Sequence, residues 1–496
     1  MKELDLIQGK VVESNVLRIQ ERLIHCWTNA MQAAITPQPL DLSQNMGEIV
    51  EVSGHLHGDL WEAHFEKVVS QEGFQEITGI VVGPNEIEGP DGIVVCYRHG
   101  MAESWYGPLN LFEYMGKTIT VAGELRNGEL YRAYIVKVPA PEVTMDPAKE
   151  AENLNDLLRI REANREKIEA VNGNLGTALG FKWTSGQKTD HPSVIIFVPQ
   201  KTASLLVPDA EKAPETLETE DGKWCFTDVV TGGKTEELES IVPPEISEQN
   251  KMIVQELKSG QIGLIGGIQL AAYVNGDNQR GYVGTAGIAV RHRETQKKGF
   301  LTNQHVADAP GRYIYHPWHN NFYIGMTYSG REYEEDETWY DGTIDEENSR
   351  VRCDCGFVAV SEYLEPYLRP GLHAIGDTGE LLRINPDSMD IIDQKVISIG
   401  RTRGVQRGTI VAYAYEYYDD EYSLYTDLLI IGEDGKAFSW KGDSGKIIVT
   451  DDENHRPVAL LWGGWQERLR HGGEQEIWTY AIDLRKVLDI LDLELL

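Results

Sequence analysis

In the run Lys441-Gly442-Asp443-Ser444-Gly445, a serine sits in a glycine-flanked turn late in a chain of 496 residues. Glycine lets a backbone turn sharply and come close to its surroundings. A serine placed there can present its hydroxyl while neighbouring N–H groups face a carbonyl oxygen gaining negative charge. The same letters also suit an ordinary polar turn. A hydroxyl is a weak nucleophile at neutral pH and needs a base within hydrogen-bond reach, itself oriented by a third group. Upstream, Gly299-Phe300-Leu301-Thr302-Asn303-Gln304-His305-Val306-Ala307 runs an apolar strand into a histidine followed by small residues, as such a base requires. For the third group, Asp354 stands in Arg352-Cys353-Asp354-Cys355-Gly356-Phe357-Val358-Ala359-Val360, just ahead of an apolar stretch. A carboxylate at the entry of a strand can be half buried and accept the Nδ1–H of the imidazole. Asp341 and Asp345 compete for that place, but they lie in a polar run, 340–347, that reads as a loop. His305, Asp354 and Ser444 follow one another at separations of 49 and 90 residues, in the chain order of one known triad lineage. The chemistry they could perform together is acyl transfer.

The elements that must position these residues are mostly strands. After Val242-Pro243-Pro244, which reads as a boundary, short glycine-punctuated strands follow one another. They cover 281–291, 299–303, 322–328, 355–360, 396–399, 408–417, 423–431, 446–450 and 457–462. Few helices and many turns predict one or two antiparallel barrels. Two barrels would place His305 and Asp354 on the first, Ser444 on the second and a cleft between them. Leu484, Val487, Leu488 and Leu491 share one face of a closing helix.

Ahead of this region, Asp146 and Pro147 open a helix carrying Leu154, Leu157, Leu158 and Ile168, which stops at Asn172-Gly173. Strands at 176–183 and 193–198 come next. Gly233-Lys234-Thr235 lacks the glycine a phosphate loop needs, since Asp228 stands in its place. The first 140 residues read as a helix over 12–35, from the spacing of Val12, Val16, Ile19, Leu23, Trp27, Ala30 and Ala34. An internal repeat then follows. Met46-Gly47 through Val68 and Met115-Gly116 through Val138 are two alternating strand pairs around glycine turns, as at the opening of an OB-like barrel. Trp61, Tyr131 and Tyr134 would form a binding face there, or else a core; the surrounding acids favour the core. The expected domains are therefore 1–140, 141–250 and 251–496.

A formal charge of −33 repels phosphate backbones and anionic lipid, so nucleic acid is a poor partner. No apolar run approaches membrane-spanning length, and the start Met1-Lys2-Glu3-Leu4-Asp5 lacks the character of a signal peptide. Five cysteines (Cys26, Cys96, Cys225, Cys353 and Cys355) are odd in number and sparse, which fits reduced thiols and a cytoplasmic setting. Cys353-x-Cys355 has no second pair to complete a metal site, and neither metal nor other cofactor is expected.

The His305 block and Gly442-Asp443-Ser444-Gly445 resemble the corresponding blocks of trypsin-like (chymotrypsin-fold) serine proteases. Within these the match is closer to the plant narrow-leaf proteins and their bacterial relatives. Supporting stretches are Ile399 to Gly404, Gly408 to Tyr417, Tyr425 to Glu433, Leu461 to Gly464, Pro192 to Val198 and Gly222 to Cys225, so the likeness runs over roughly 150–496. The resemblance implies a mainly β protein. A chymotrypsin-like double barrel would follow the N-terminal OB-like region and the small α/β segment. It also implies a peptidase acting on protein or peptide substrates, with His305, Asp354 and Ser444 as triad and the N–H groups of Gly442 and Ser444 as oxyanion hole. By the same analogy Phe438, Trp462, Gly463 and Gly464 line the substrate pocket, suited to an apolar or small side chain. Lys446 departs from the small residue often found after the Gly-Asp-Ser-Gly block. Ile265-Gly266-Gly267 resembles the new N-terminus of activated secreted proteases but reads as a strand-leading turn. A restrained enzyme could assemble as a homo-oligomer. The other reading is a latent or non-catalytic scaffold of protease fold that binds a protein partner.

Overall fold

The computed structural model describes residues 145–184, 187–199, 207–232, 246–273, 282–318, 321–334, 340, 349–418, 423–433, 436–469 and 475–496. Of the first 137 residues it describes the strands given below and short pieces beside them. Gly233-Lys234-Thr235, Val242-Pro243-Pro244, Asp341, Asp345 and the side chains of Trp61 and Tyr134 lie outside the described residues.

Two antiparallel barrels carry the expected site residues. In the first, the Gln269–Ala272 strand pairs on one side with Tyr313–His316 and on the other with Val283–Thr285. The chain continues from there through Ala286 to Ala289–His292, switching partners as it goes. Ala286 N–H donates back to Ile268 O at 2.8 Å, whereas Gly287 N–H donates to Leu301 O at 2.7 Å. That switch joins the strand to Lys298–Thr302, which pairs with Ser349–Val360. The latter pairs with Phe322–Glu334, and this with Tyr313–His316, closing a ring of six. The second ring is Lys395–Gly400, Gly404–Tyr418, Ser423–Gly432, Gln475–Asp483, Pro457–Leu469 and Ile447–Thr450, the last pairing back to the first. These strands are rich in Val, Ile, Leu and Tyr, which pack well on a pleated surface. The closing helix is Leu484–Ile490, with Leu484, Val487 and Leu488 buried.

The segment before the barrels belongs to the same body. The expected helix after Pro147 is in three pieces: a 3₁₀ turn Pro147–Lys149, then Leu154–Ala163, then Arg165–Glu169. Asp146 and Asn153 cap the first two as side-chain acceptors. The Gly176–Thr184 strand pairs with Gln187–Val198 and also with Gly404–Tyr418 of the second barrel. Leu154, Leu157, Ile196 and Phe197 join Leu428, Trp478 and Phe438 in one continuous buried cluster.

The expected helix over 12–35 is a correction. Residues up to His25 form strands, Asp5–Glu13, Val16–Ile19 and Arg22–His25, with Lys10 opposite Arg18 and Val16 opposite His25; 27–39 lie outside the described residues. Val11, Val12, Val16, Ile19 and Ile24 are β-branched and lose side-chain freedom in a helix. A hairpin turning every few residues mimics helical spacing by coincidence. The two copies of the repeat are both hairpins, but in different sheets. Ile49–His57 with Asp59–Val68 extends the sheet of the three strands just named, whereas Thr118–Arg126 with Glu129–Lys137 closes a five-stranded barrel with 74–83, 86–89 and 92–96. Tyr131 is buried there and stacked on Tyr97, as a core residue.

Candidate active site

His305 follows the Lys298–Thr302 strand in a single helical turn, Gln304–Ala307. Asp354 lies midway along Ser349–Val360, which pairs directly beside that strand, Thr302 opposite Gly356. Between Cys355↔Arg331 and Arg352↔Tyr333 the Asp354 strand carries one residue more than its partner, a bulge of the kind that re-aims a side chain. Asp354 takes φ +29° there, a region non-glycine residues seldom enter, and strain of this kind persists where the surroundings over-determine it. What holds it is a short network. Its Oδ2 faces His305 Nδ1 at 2.6 Å, its Oδ1 accepts the His305 backbone N–H at 3.0 Å, and its own carbonyl accepts from Asn303 Nδ2 at 2.7 Å. Asp354 is 1% exposed, whereas the His305 side chain is 44% exposed. The carboxylate is thus sealed behind an imidazole whose far edge meets solvent.

Ser444 belongs to a turn ahead of the Ile447–Thr450 strand and is half-buried. Gly442 and Gly445 on either side have φ +96° and +93°, so both need glycine. The turn packs onto the histidine's own strand. A Cβ on Gly445 would collide with Thr302 Oγ1 and stand 2.5 Å from Thr285 O. Gly284 touches both sides, because a Cβ there would collide with Val306 and lie 2.9 Å from Ser444 O. Thr285 N–H donates to Ser444 O at 2.8 Å and Thr285 Oγ1 to Gly442 O at 3.0 Å, tying the two barrels at the turn.

Asp443 anchors the turn from beneath. It is fully buried, with Oδ1 accepting from Thr402 N–H at 2.8 Å and Arg403 N–H at 3.3 Å, and Oδ2 from Trp440 N–H at 3.0 Å. Along the turn the N–H groups of Asp443, Gly445 and Lys446 donate to Trp440 O, Leu461 O and Asp443 O. Those of Gly442 and Ser444 have no acceptor among the described residues. Two N–H groups left open beside a hydroxyl are what a developing oxyanion needs. The Ser444 hydroxyl is not among the hydrogen-bond partners of His305. Such contacts are often long in apo enzymes and tighten in the substrate complex.

The expected pocket residues lie next to this turn. Phe438 is fully buried under it. Trp462 is 8% exposed, stacks on Tyr480 with ring centres 5.4 Å apart, and donates Nε1–H to Thr426 Oγ1 at 3.0 Å. The Arg352 guanidinium lies 4.5 Å from the centre of the Trp462 ring, so the strand of Asp354 reaches Trp462 directly. Gly463 has open space where a side chain would be, whereas a Cβ on Gly464 would collide with the Tyr480 ring. Asn303, Thr285 and Asp443 are structural partners that the sequence reading missed. Asn303 and Asp443 stand close to His305 and Ser444 in the sequence, but only a fold tells which backbone groups they face. Cys353 and Cys355 are fully buried, and a hydrogen bond to Cys353, together with burial, raises the Cys355 thiol well above its ordinary range. Among the described residues no group of three or more His, Cys, Asp or Glu side chains is placed to hold a metal ion.

Two six-stranded antiparallel barrels with a His–Asp pair on one and a glycine-flanked serine turn on the other define a protease scaffold of the chymotrypsin type. The comparisons with known proteins agree in family. A model described as the Nal1 C-terminal domain matches residues 249–496, and one described as the NARROW LEAF 1 N-terminal domain matches 149–230. The chain belongs to the NARROW LEAF 1 family. It is 30% identical over 396 residues to Protein NARROW LEAF 1 of Oryza sativa subsp. japonica, covering 74% of this chain and 64% of that one. It is 33% identical over 140 residues to a probable serine protease of Bradyrhizobium tropiciagri, covering 25% of this chain and 17% of that protein. The chain therefore spans less than two thirds of either relative. Among solved structures, protease A of Thermobifida fusca aligns over 47% of this chain and 99% of its own, at 16% identity and a TM-score of 0.32.

Proposed function

We propose that this protein is a serine endopeptidase that hydrolyses peptide bonds through an acyl-enzyme. The observation that carries the reading is the His305 imidazole held by the buried Asp354 carboxylate, one residue before Val306, which meets Gly284 beside a turn whose Ser444 hydroxyl is flanked by two open N–H groups. Ser444 Oγ attacks the carbonyl carbon, and His305 Nε2 takes the hydroxyl proton. The N–H groups of Gly442 and Ser444 receive the oxyanion. His305 returns the proton to the leaving amine, and water repeats the sequence to release the acid. Asp354 fixes the tautomer by accepting Nδ1–H and stabilises the imidazolium that forms. Free, buried cysteines support a reducing, cytoplasmic setting for this activity. No helix among the described residues is long and apolar enough to cross a membrane.

A fluorophosphonate probe tests the reading. The native chain should be labelled at Ser444, and Ser444→Ala should lose labelling and all but a trace of peptide hydrolysis, a fall on the order of 10⁴-fold or more. A folded native protein that is neither labelled nor hydrolytic would return the chain to the class of protease-fold scaffolds.

A further inference from the structure

The chain carries a net charge of −33, yet the turn beside the open N–H groups is ringed with cations. Arg401 lies directly against Gly442, since a Cβ built there would collide with Arg401 Nη1 and stand 2.8 Å from Thr402 Oγ1. The backbone fixes this approach: Arg401 N–H donates to Thr285 Oγ1 at 3.2 Å and Thr402 Oγ1 to Lys441 O at 2.9 Å. Lys258 comes from the last turn of the Glu248–Ser259 helix, which is clamped to the same loop by Asn250. That side chain donates to Val405 O at 2.9 Å and accepts Val405 N–H at 2.9 Å. A Cβ on Gly267 would stand 3.0 Å from Ile399 and 3.4 Å from Leu257, so the end of this helix lies beside the strand that leads into Arg401; burial first and Arg401 second hold the Lys258 ammonium below its usual range.

Among the described residues these two charges have no ion-pair partner. Neither side chain makes an ion pair or a side-chain hydrogen bond among the described residues, and Arg401 Nε is buried without an acceptor. Among the described residues the carboxylate that acts on both is Asp443, whose oxygens are already occupied by the N–H groups of Thr402, Arg403 and Trp440. The other cations near Asp443 are committed. Arg403 donates to Gln406 Oε1 at 3.3 Å, and Lys446 Nζ donates to Phe438 O at 2.7 Å. Arg401 and Lys258 are both half-exposed, so a ligand can reach them. A buried, unpaired guanidinium nitrogen is costly to maintain, and a carboxylate supplies the planar acceptor it fits.

We propose that Arg401 and Lys258 form a subsite for an acidic side chain of the peptide substrate, close to the scissile bond. The inference rests on the peptidase reading. Gly442 lies two residues before Ser444, and an extended chain advances roughly 3.3–3.6 Å per residue. The Asp or Glu so recognised therefore falls within about three residues of the bond attacked. Charge-assisted contacts of this kind are worth about tenfold in preference over a neutral amide, and salt should weaken the preference because both cations are partly exposed.

Incubation of the full chain with a proteome-derived peptide library, with cleavage sites read by mass spectrometry, tests the proposal. Asp or Glu should be enriched at one fixed position within three residues of the cut, and matched Glu and Gln peptides should differ about tenfold in kcat/KM. In the Arg401→Gln/Lys258→Gln double variant that ratio should fall to near one, and Arg401→Lys should retain part of it, which a merely structural role would not produce. Cleavage with no acidic enrichment, or a ratio the double variant leaves unchanged, overturns the subsite while leaving the peptidase reading intact. Fluorescence anisotropy with Ser444→Ala decides the question without turnover. An alanine-rich octapeptide carrying one Glu should bind more tightly than its Gln counterpart at low salt, and equal binding overturns the inference even if no peptide is ever cleaved.

Discussion

Lys446 Nζ donates to the carbonyl oxygen of Phe438 at 2.7 Å and at the same time lies 4.3 Å from the centre of the Phe438 ring. A fully buried ammonium thus ties Phe438 to the turn that carries Ser444. Burial pushes the Lys446 pKa down to about 8, against an upward pull from Asp443.

That burial makes stability depend on alkaline pH. The unfolded chain keeps its Lys446 proton up to the ordinary value of 10.5, whereas the folded chain releases it near 8. Between these values the unfolded state binds more protons, so unfolding free energy rises with pH, and below about 8 the full cost of burying the charge is present. The whole effect is on the order of 3 kcal/mol. Denaturant titrations of the native chain and Lys446→Met from pH 7 to 10.5 should converge or cross as the native chain gains stability relative to the variant. Parallel curves would mean that Lys446 titrates alike in both states.

Asp354→Asn should keep the fold and remove the acceptor that fixes the His305 tautomer. Hydrolysis should fall by about 10⁴-fold, with the loss in kcat and little change in KM. Steady-state kinetics beside an unfolding curve would check this, and an active Asp354→Asn enzyme would remove Asp354 from the mechanism.

Gly284→Ala wedges a methyl between Val306 and the Ser444 carbonyl, at the point where the histidine and serine segments touch. Overpacking of this kind costs about 1–3 kcal/mol. The thermal midpoint should drop modestly, but hydrolysis should drop much further because the two side chains no longer share one register. Equal fractional losses of stability and activity would contradict this.

Glu416 ties the segment before the barrels to the second barrel, accepting from Arg165 Nη1 at 2.7 Å in a nearly buried setting that also contains Arg161. Burial raises its pKa, and Arg161 and Arg165 outweigh that, leaving the carboxyl below its ordinary range. Its contribution is therefore complete at neutral pH and is lost as pH falls through the depressed value. Glu416→Gln should destabilise by about 3 kcal/mol, because the buried Arg161 keeps Glu162 at 3.6 Å but loses the second carboxylate that offsets its burial. Chemical denaturation at pH 7 measures it, and a change below 1 kcal/mol would show the pair to be dispensable.

Sequence alone determined which residues stand within reach of chemistry. The blocks around His305, Asp354 and Ser444 identify themselves by an apolar strand ending in histidine, an acid ahead of an apolar stretch and a serine between glycines, all of which are local patterns, although Asp354 lies inside its strand and not at the entry that the sequence suggests. Strand content after residue 250 and the closing helix are equally local, since β-branched periodicity and glycine turns are written in adjacent positions. The segment 12–25 shows the limit of that reading, because short apolar runs carry no period that separates a hairpin from a helix. Only the tertiary structure decided that Asp354 turns out of its strand through a bulge, that Gly445 rests on Thr302, and that Arg401 meets Gly442 across 41 residues of chain. Those relations depend on which strands pair and in what register, and they are set by packing between segments far apart in the chain.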